Sequence, residues 1–282
     1  MRIIRAVKEM QQASETFRRE GKRIGFVPTM GYLHEGHLAL VRRARKDAHV
    51  VVVSIFVNPL QFGPNEDFGR YPRAFERDRN LLEQEKTDII FSPDGPEMYP
   101  EGYSTYIEVK GLGEHLCGLH RAGHFTGVAT VVAKLFNAVK PHFAVFGQKD
   151  YQQLKIIQRM ARDLNMDLEI IGYPTVREEG GLAMSSRNAY LSAEDREKAL
   201  LISASMKKAE ELFRGGERRA GVLAAEVRKT LASKDGLDIE YVTMCDPETL
   251  GDVDKIERSA LLAIALRLGK TRLIDNVILT ES

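Results

Sequence analysis

The chain has 282 residues, and its 41 lysines and arginines nearly cancel 40 aspartates and glutamates, leaving a formal net charge of +1. That balance supplies no global field to hold a polyanion or an acidic membrane face, so any phosphate recognition must be built locally. Hydrophobic residues at 43% and charged residues at 29% exclude a disordered chain, and two cysteines, Cys117 and Cys245, exclude a disulfide framework or a four-cysteine zinc site.

In chain order, MRIIRAVKEMQQ interleaves charges with apolar residues, which predicts an amphipathic helix, no signal peptide and a cytoplasmic protein. RIGFVPT then predicts a strand and HLALVRRARKDA a helix. VVVVSIFV, residues 50–57, predicts a fully buried strand and is far too short to span a membrane. AFERDRNLLEQEK predicts a helix, DIIF a strand, 123–139 a helix, HFAVFG a strand, DYQQLKIIQRMARDLN a helix and LEII a strand. This alternation implies an α/β fold, a parallel sheet of about five strands covered by helices, with ligands at the carboxyl ends of the strands. Past the polar, glycine-bearing REEGGLAMSSRN, residues 177–188, the pattern changes. Two helices, 193–213 and 217–233, precede the strand-like LDIEYVTM, SALLAIALRL and TRLIDNVIL, a smaller α+β domain. The expected division is 1–175 and 176–282.

His34 and His37 in HEGH stand at i and i+3 where the first strand hands over to a helix. A zinc site is one reading, although the HExxH pattern needs i and i+4, and a purely structural pair is another. The third follows from location: amides and the dipole at a helix N-terminus favour a phosphate, and imidazoles there can stabilise charge on a phosphoryl group. GEHLCGLHRAGHF, residues 113–125, offers His115, Cys117, His120 and His124 at a spacing that matches no zinc template, while Arg121 and His124 beside Gly123 suit an anion. In FGQKDYQQ, Lys149 can meet phosphate oxygens and Asp150 can cap the helix or bind a magnesium-bearing group. MSSRN offers two hydroxyls and a guanidinium for a triphosphate tail, or a helix cap. Arg42, Arg43, Arg45 and Lys46 read as a solvated helix face. NPLQFGPNEDFGRYPR, residues 58–73, is too long for an ordinary connector, which points to function. The absence of a GK[ST] phosphate loop argues against a P-loop NTPase.

Taken in order, PTMGYLHEGH, IFVNPLQFGPNED, YPR, GHFTGV, FGQKDYQQL, PTVRE, GLAMSSRN and TRLIDN closely resemble the pantothenate synthetase, or pantoate:β-alanine ligase, family over nearly the whole chain. The resemblance implies a Rossmann-like nucleotide- and pantoate-binding domain with helices on both faces, a C-terminal lid, and membership of the HxGH nucleotidyltransferases. It also implies a ligase in which pantoate attacks the α-phosphorus of ATP and β-alanine then displaces AMP from the pantoyl adenylate. By motif, His34 and His37 would stabilise charge during adenylation, with Lys149 and Arg187 in the catalytic set. Met30, His37, Gly147, Lys149, Asp150, Val176, Met184, Ser185, Ser186 and Arg187 would bind ATP, and Gln61 and Gln153 pantoate. Asp78, Arg121 and His124 would lie near the site, Asp78 by magnesium or β-alanine. Magnesium would arrive with ATP rather than at a protein-only site, and no organic cofactor or nucleic acid is implied. The resemblance further suggests a homodimer, and closure of the second domain over ATP.

This sequence departs from the family pattern at Gln148, where Glu is common, and at Ala122, where Pro is common; neither removes a proposed catalytic group. The nearest rival is another nucleotidyltransferase of the same superfamily, such as a phosphopantetheine adenylyltransferase, which the FVNPLQFGPNED loop and second domain disfavour. A nucleotide-binding regulator without chemistry is disfavoured by the intact His34, His37, Lys149 and Arg187.

Overall fold

The computed structural model describes residues 1–64 and 66–281. The chain forms two compact units. The first comprises Met1–Gly113, Arg121–Gln148 and Gln153–Pro174, and the second comprises Glu114–His120, Lys149–Gln152 and Thr175–Ser282. Two short pieces from earlier in the sequence therefore pack with its last third.

The first unit is built on a six-stranded parallel sheet, β1 (Arg2–Ile4), β2 (Ile24–Thr29), β3 (Val50–Ile55), β4 (Ile89–Phe91), β5 (Phe143–Gly147) and β6 (Glu169–Tyr173), in the order β1-β4-β3-β2-β5-β6. The helices along this part of the chain are α1 (Val7–Arg19), α2 (Glu35–Asp47), α3 (Phe75–Gln84), α4 (Gly95–Met98), α5 (Cys117–His120), α6 (His124–Val139) and α7 (Tyr151–Asp163). Five of the strands are those that the apolar runs predict. The sixth, β1, lies where the sequence reads as the start of a helix, and it pairs Ile3 with Ile90 along β4. Three residues with only Ile4 buried carry no strand period, so only the sheet edge beside them reveals the strand. Val50–Val53 are buried without alternation because helices cover both faces of the sheet. On α2, Leu38, Val41 and Ala44 recur at the spacing that turns one stripe inward, against Val27, Val51, Val53 and Val145. On the basic face expected to be solvated, the three arginines are paired: Arg42 with Glu35 and Glu85, Arg43 with Asp47, and Arg45 with Asp88.

From β2 the chain winds one way through β3 and β4, and from β5 the other way to β6, so the order reverses between β2 and β5. In open α/β sheets the crevice at such a reversal, outside the carboxyl ends of the strands, receives ligands. Thr29 ends β2 and leads into the histidine pair, and Gly147 ends β5.

The second unit packs α8 (Ala193–Arg214) and α9 (Ala220–Leu231) on an antiparallel sheet in the order β7 (Leu237–Cys245), β8 (Ser259–Leu268), β9 (Thr271–Thr280). Ile202, Met206 and Phe213 of α8, Leu223 and Val227 of α9, and Leu262, Ile264 and Leu266 of β8 form its core. This is the small α+β arrangement that the sequence predicts.

One close approach explains a glycine. After β3 the turn Pro59–Gln61 lies against α6, where a Cβ on Gly127 would stand 2.2 Å from the Leu60 carbonyl oxygen and 2.7 Å from the Gln61 amide nitrogen. Only glycine admits the turn at that distance. Gly127→Ala should therefore displace the turn and destabilise the protein by about 1–3 kcal/mol, the usual range for overpacking. Chemical denaturation of both proteins checks it; an unchanged midpoint would show that the helix and turn are not in contact in solution.

Candidate active site

The first unit carries the histidine pair on a braced loop. Gly31 and Tyr32 both adopt left-handed backbone, with φ of 81° and 50°. The turn is held from α3, where the buried Asp78 accepts the Tyr32 amide at 2.7 Å and the Leu33 amide at 2.8 Å. Its neighbour Arg77 donates to the Leu33 carbonyl at 2.9 Å and lies 5.2 Å over the Tyr32 ring. Burial pushes the Asp78 carboxyl above its ordinary pKa, against the opposing pull of the two amides and Arg77. Both Asp78 oxygens accept from backbone, which fixes the loop.

His34 is the N-cap of α2, and the two imidazoles cap the helix reciprocally. His34 Nδ1 accepts the Gly36 amide at 3.1 Å, His37 Nδ1 accepts the His34 amide at 3.3 Å, and the rings lie 4.0 Å apart. The structural reading of the pair, a helix cap, is realised. A nitrogen that accepts an amide proton carries none of its own, so each ring holds its proton on Nε2, the edge away from the cap. Two N–H donors beside a helix N-terminus suit an anionic phosphoryl group. Glu35 pairs with Arg42 instead of joining the histidines, unlike the glutamate of a zinc protease.

Gln61 is held at both ends of its side chain, donating to the Met30 sulfur at 2.9 Å and accepting from Asn58 at 3.2 Å. Asn58 also donates to the Gly127 carbonyl at 3.1 Å, caps the Pro59–Gln61 turn and accepts from the Tyr99 hydroxyl at 2.7 Å. Sequence reasoning missed Asn58 and Tyr99 as members of this network. The Asn-Pro pair is a turn-capping signal that could have found the first, whereas nothing local marks the second. Arg121 grips Glu66 through two bonds, at 2.7 and 2.6 Å, and donates to His124 Nε2 at 2.8 Å. His124 Nδ1 meets the Gln61 carbonyl at 2.7 Å. Arg121 and His124 therefore sit directly behind Gln61. Burial opposes ionisation of Glu66, and its bonds to Arg121 overcome that, holding the carboxyl below its ordinary pKa.

The second unit carries Lys149, half-buried, and Asp150, exposed, in the turn Gln148–Asp150. Beside them the Asn276 side-chain amide donates to the Lys149 carbonyl at 2.8 Å. Val176 and Met184 meet through a backbone bond of 2.9 Å that helps close a glycine-tipped loop. Ser185 then caps the short helix Ser186–Tyr190 by accepting the Arg187 amide at 3.2 Å, so the capping alternative for MSSRN is realised. Gln153, on α7, belongs to the first unit and is half-buried. Its neighbour Gln152 binds the Cys117 amide at 3.0 Å and the His115 carbonyl at 2.7 Å. The Cys117 thiol lies 3.1 Å from the Tyr241 hydroxyl. Among the described residues, no group of three or more His, Cys, Asp or Glu is arranged to hold a metal ion.

Against known proteins, residues 2–278 match the family model described as pantoate-beta-alanine ligase. The chain is 59% identical to a pantothenate synthetase of Thermotoga petrophila, covering 99% of this chain and 100% of that protein. It is 54% identical to one from Syntrophus aciditrophicus, over 100% and 98%. Among solved structures, pantothenate synthetase from Thermus thermophilus matches with a TM-score of 0.95 at 46% identity, over all of both chains. The Francisella tularensis pantoate-beta-alanine ligase, complexed with beta-gamma ATP and beta-alanine, matches with a TM-score of 0.79 at 34% identity, over 99% and 97%.

Asp78→Asn keeps the side-chain shape but leaves only one acceptor for two amides. Losing a hydrogen bond to a buried charged group should cost about 1.5–3 kcal/mol in urea unfolding. The imidazole nitrogen resonances of His34 and His37 should move as well, because their loop is released. Unaltered resonances would mean that Asp78 does not set the histidine geometry.

Proposed function

The chain belongs to the pantoate-β-alanine ligase family, and from that premise we propose which of its residues carry each step of the family's reaction. That reaction condenses pantoate with β-alanine at the expense of ATP, through a pantoyl adenylate, and yields pantothenate, AMP and pyrophosphate. A free carboxylate is a poor electrophile because its oxygen is a poor leaving group. In the first step a pantoate carboxylate oxygen forms a bond to the α-phosphorus as the bond to pyrophosphate breaks. In the second, the β-alanine amine attacks the acyl carbon, AMP leaves with the bridging oxygen, and the amine loses a proton.

His34 and His37 act in the first step in this reading. The observation that carries it is the reciprocal cap, in which each Nδ1 accepts an amide and each proton is therefore fixed on Nε2. Donors oriented before reaction stabilise charge that builds on a phosphoryl group without reorganising during the step. Lys149 and Arg187 add positive charge to the phosphates, the Ser185 and Ser186 hydroxyls take the phosphate tail, and Asp150 and Gly147 take the ribose side of ATP. Met30, Val176 and Met184 line the nucleotide site. Gln61, held at both ends of its side chain, takes pantoate together with Gln153. Arg121 and His124 fix the Gln61 backbone.

Magnesium enters this reading with ATP, where it would neutralise phosphate charge. Both oxygens of Asp78, which the family resemblance places near magnesium or β-alanine, accept from backbone. A cytoplasmic homodimer completes the reading, on family membership. No helix among the described residues is long and apolar enough to cross a membrane.

Mass spectrometry after incubation with ATP, magnesium and pantoate should find pantoyl adenylate, and pantothenate once β-alanine is added. His34→Asn separates cap from chemistry, since asparagine caps helices well but lacks the second ring donor. Its stability should stay near wild type while adenylation falls on the order of 100- to 1000-fold, as expected for loss of a preorganised donor. His37→Ala should lose a similar factor. Near-normal single-turnover adenylation in His34→Asn would reduce the pair to a helix cap.

A further inference from the structure

In β9 the side chains from Thr271 to Ile274 alternate between buried and partly exposed, and then Asp275 and Asn276 are buried in succession. Two adjacent buried polar residues break the strand period, and a buried ion pair seldom improves stability over an apolar pair of the same size. The TRLIDN motif and the arginine of PTVRE have no role in the reaction as described, so both features ask for another reason.

The geometry supplies one. Arg177 makes a two-pronged bond to Asp275, at 2.6 and 3.0 Å, and also donates to the Gly181 carbonyl at 3.0 Å. Asp275 in turn accepts the Asn276 backbone amide at 2.8 Å. Successive strand residues face opposite sides, so a backbone fixed from the Asp275 side presents the Asn276 side chain on the other. There its amide donates to the Lys149 carbonyl at 2.8 Å. That carbonyl belongs to the turn Gln148–Asp150, and a bond to it fixes the peptide plane between Lys149 and Asp150. A lysine side chain has four rotatable bonds and reaches a set point only if its backbone is held.

We propose that Asn276, locked by the Arg177–Asp275 ion pair, is a positioning residue that aims Lys149 at the phosphates of ATP during adenylation. The inference rests on the assignment of Lys149 above. It goes beyond that assignment by giving a role to three residues that do not touch substrate. It also accounts for the burial of Asp275, which pushes the carboxyl above its ordinary pKa against the opposing pull of Arg177, the Asn276 amide and, more weakly, the charge of Lys149.

The test uses the full chain and separates the two half-reactions. Asn276→Ala removes the donor, and the near-isosteric Asn276→Asp faces the Lys149 carbonyl with an oxygen. Pantoate-dependent exchange of pyrophosphate into ATP reports the first half, and transfer from supplied pantoyl adenylate to β-alanine reports the second. Both variants should slow exchange on the order of 10- to 100-fold, the scale of a small misplacement of a reacting group, and leave the second half unchanged. Adding Asn276→Ala to Lys149→Ala should slow exchange no further. Equal loss in both halves, tracking a lower melting temperature, would make Asn276 merely structural and overturn the proposal. So would unchanged exchange in the Asn276 variants when Lys149→Ala is slow. Normal exchange in Lys149→Ala would instead defeat the assignment of Lys149 itself, and the positioning role with it.

Discussion

Two consecutive amides, of Tyr32 and Leu33, end on one buried carboxylate, and the direction in which the chain enters α2 follows from that pair of bonds. Without Asp78, the left-handed turn at Gly31 and Tyr32 would leave two inward donors unmatched, a cost of order 1–3 kcal/mol each. With it, His34 arrives in extended backbone at the N-cap position, where its ring can take the Gly36 amide while His37 returns the bond to the His34 amide. The turn is tight enough that a Cβ on Gly31 would sit 3.1 Å from an Asp78 oxygen. A carboxylate, a glycine and a helix cap therefore act as one device, and its product is the proton position on two imidazoles.

The pantoate side of the proposed site obeys a similar rule. Gln61 lies at the end of a short turn pressed against α6, and that approach requires Gly127. Its polar groups meet neighbours of fixed direction: Met30 and Asn58 on the side chain, Arg121 and His124 on the carbonyl. Buried polar networks of this kind rigidify a site when each member is satisfied. The bidentate Glu66–Arg121 pair carries the restraint out into the long 58–73 segment, which explains why a connector of that length keeps a defined path at its inner end.

The second unit holds the segments proposed to bind substrate by the same logic, with a difference in kind. There the brace is an ion pair, Arg177–Asp275, and it acts through the backbone of β9 on a carbonyl rather than on an amide. The same Arg177 also bonds the Gly181 carbonyl of the glycine-tipped 176–184 loop, which Asn188 holds as well, on Glu178 and on the Ala183 carbonyl. In both units the groups proposed to touch substrate are mostly exposed or half-buried, whereas Asp78, Asn58, Asp275 and Asn276, which bond to their backbone or side chains, are buried.

The sequence alone determined the layered α/β plan, because runs such as VVVVSIFV and stripes such as Leu38, Val41 and Ala44 are local patterns with a physical period. It determined the small α+β unit in the same way, and its ordered motifs identified the family and nominated His34, His37, Gln61 and Lys149. Only the tertiary structure decided what holds those residues. Asp78 is 46 residues from Tyr32, Tyr99 is 41 from Asn58, and Asn276 is 127 from Lys149. No periodicity links such positions, since a hydrogen bond between distant segments leaves no pattern within either one. Strand β1 was hidden for a related reason: three residues become a strand only when an edge such as β4 stands beside them. Local pattern records what a segment buries, whereas the direction of a side chain's proton depends on which amide the fold brings to it.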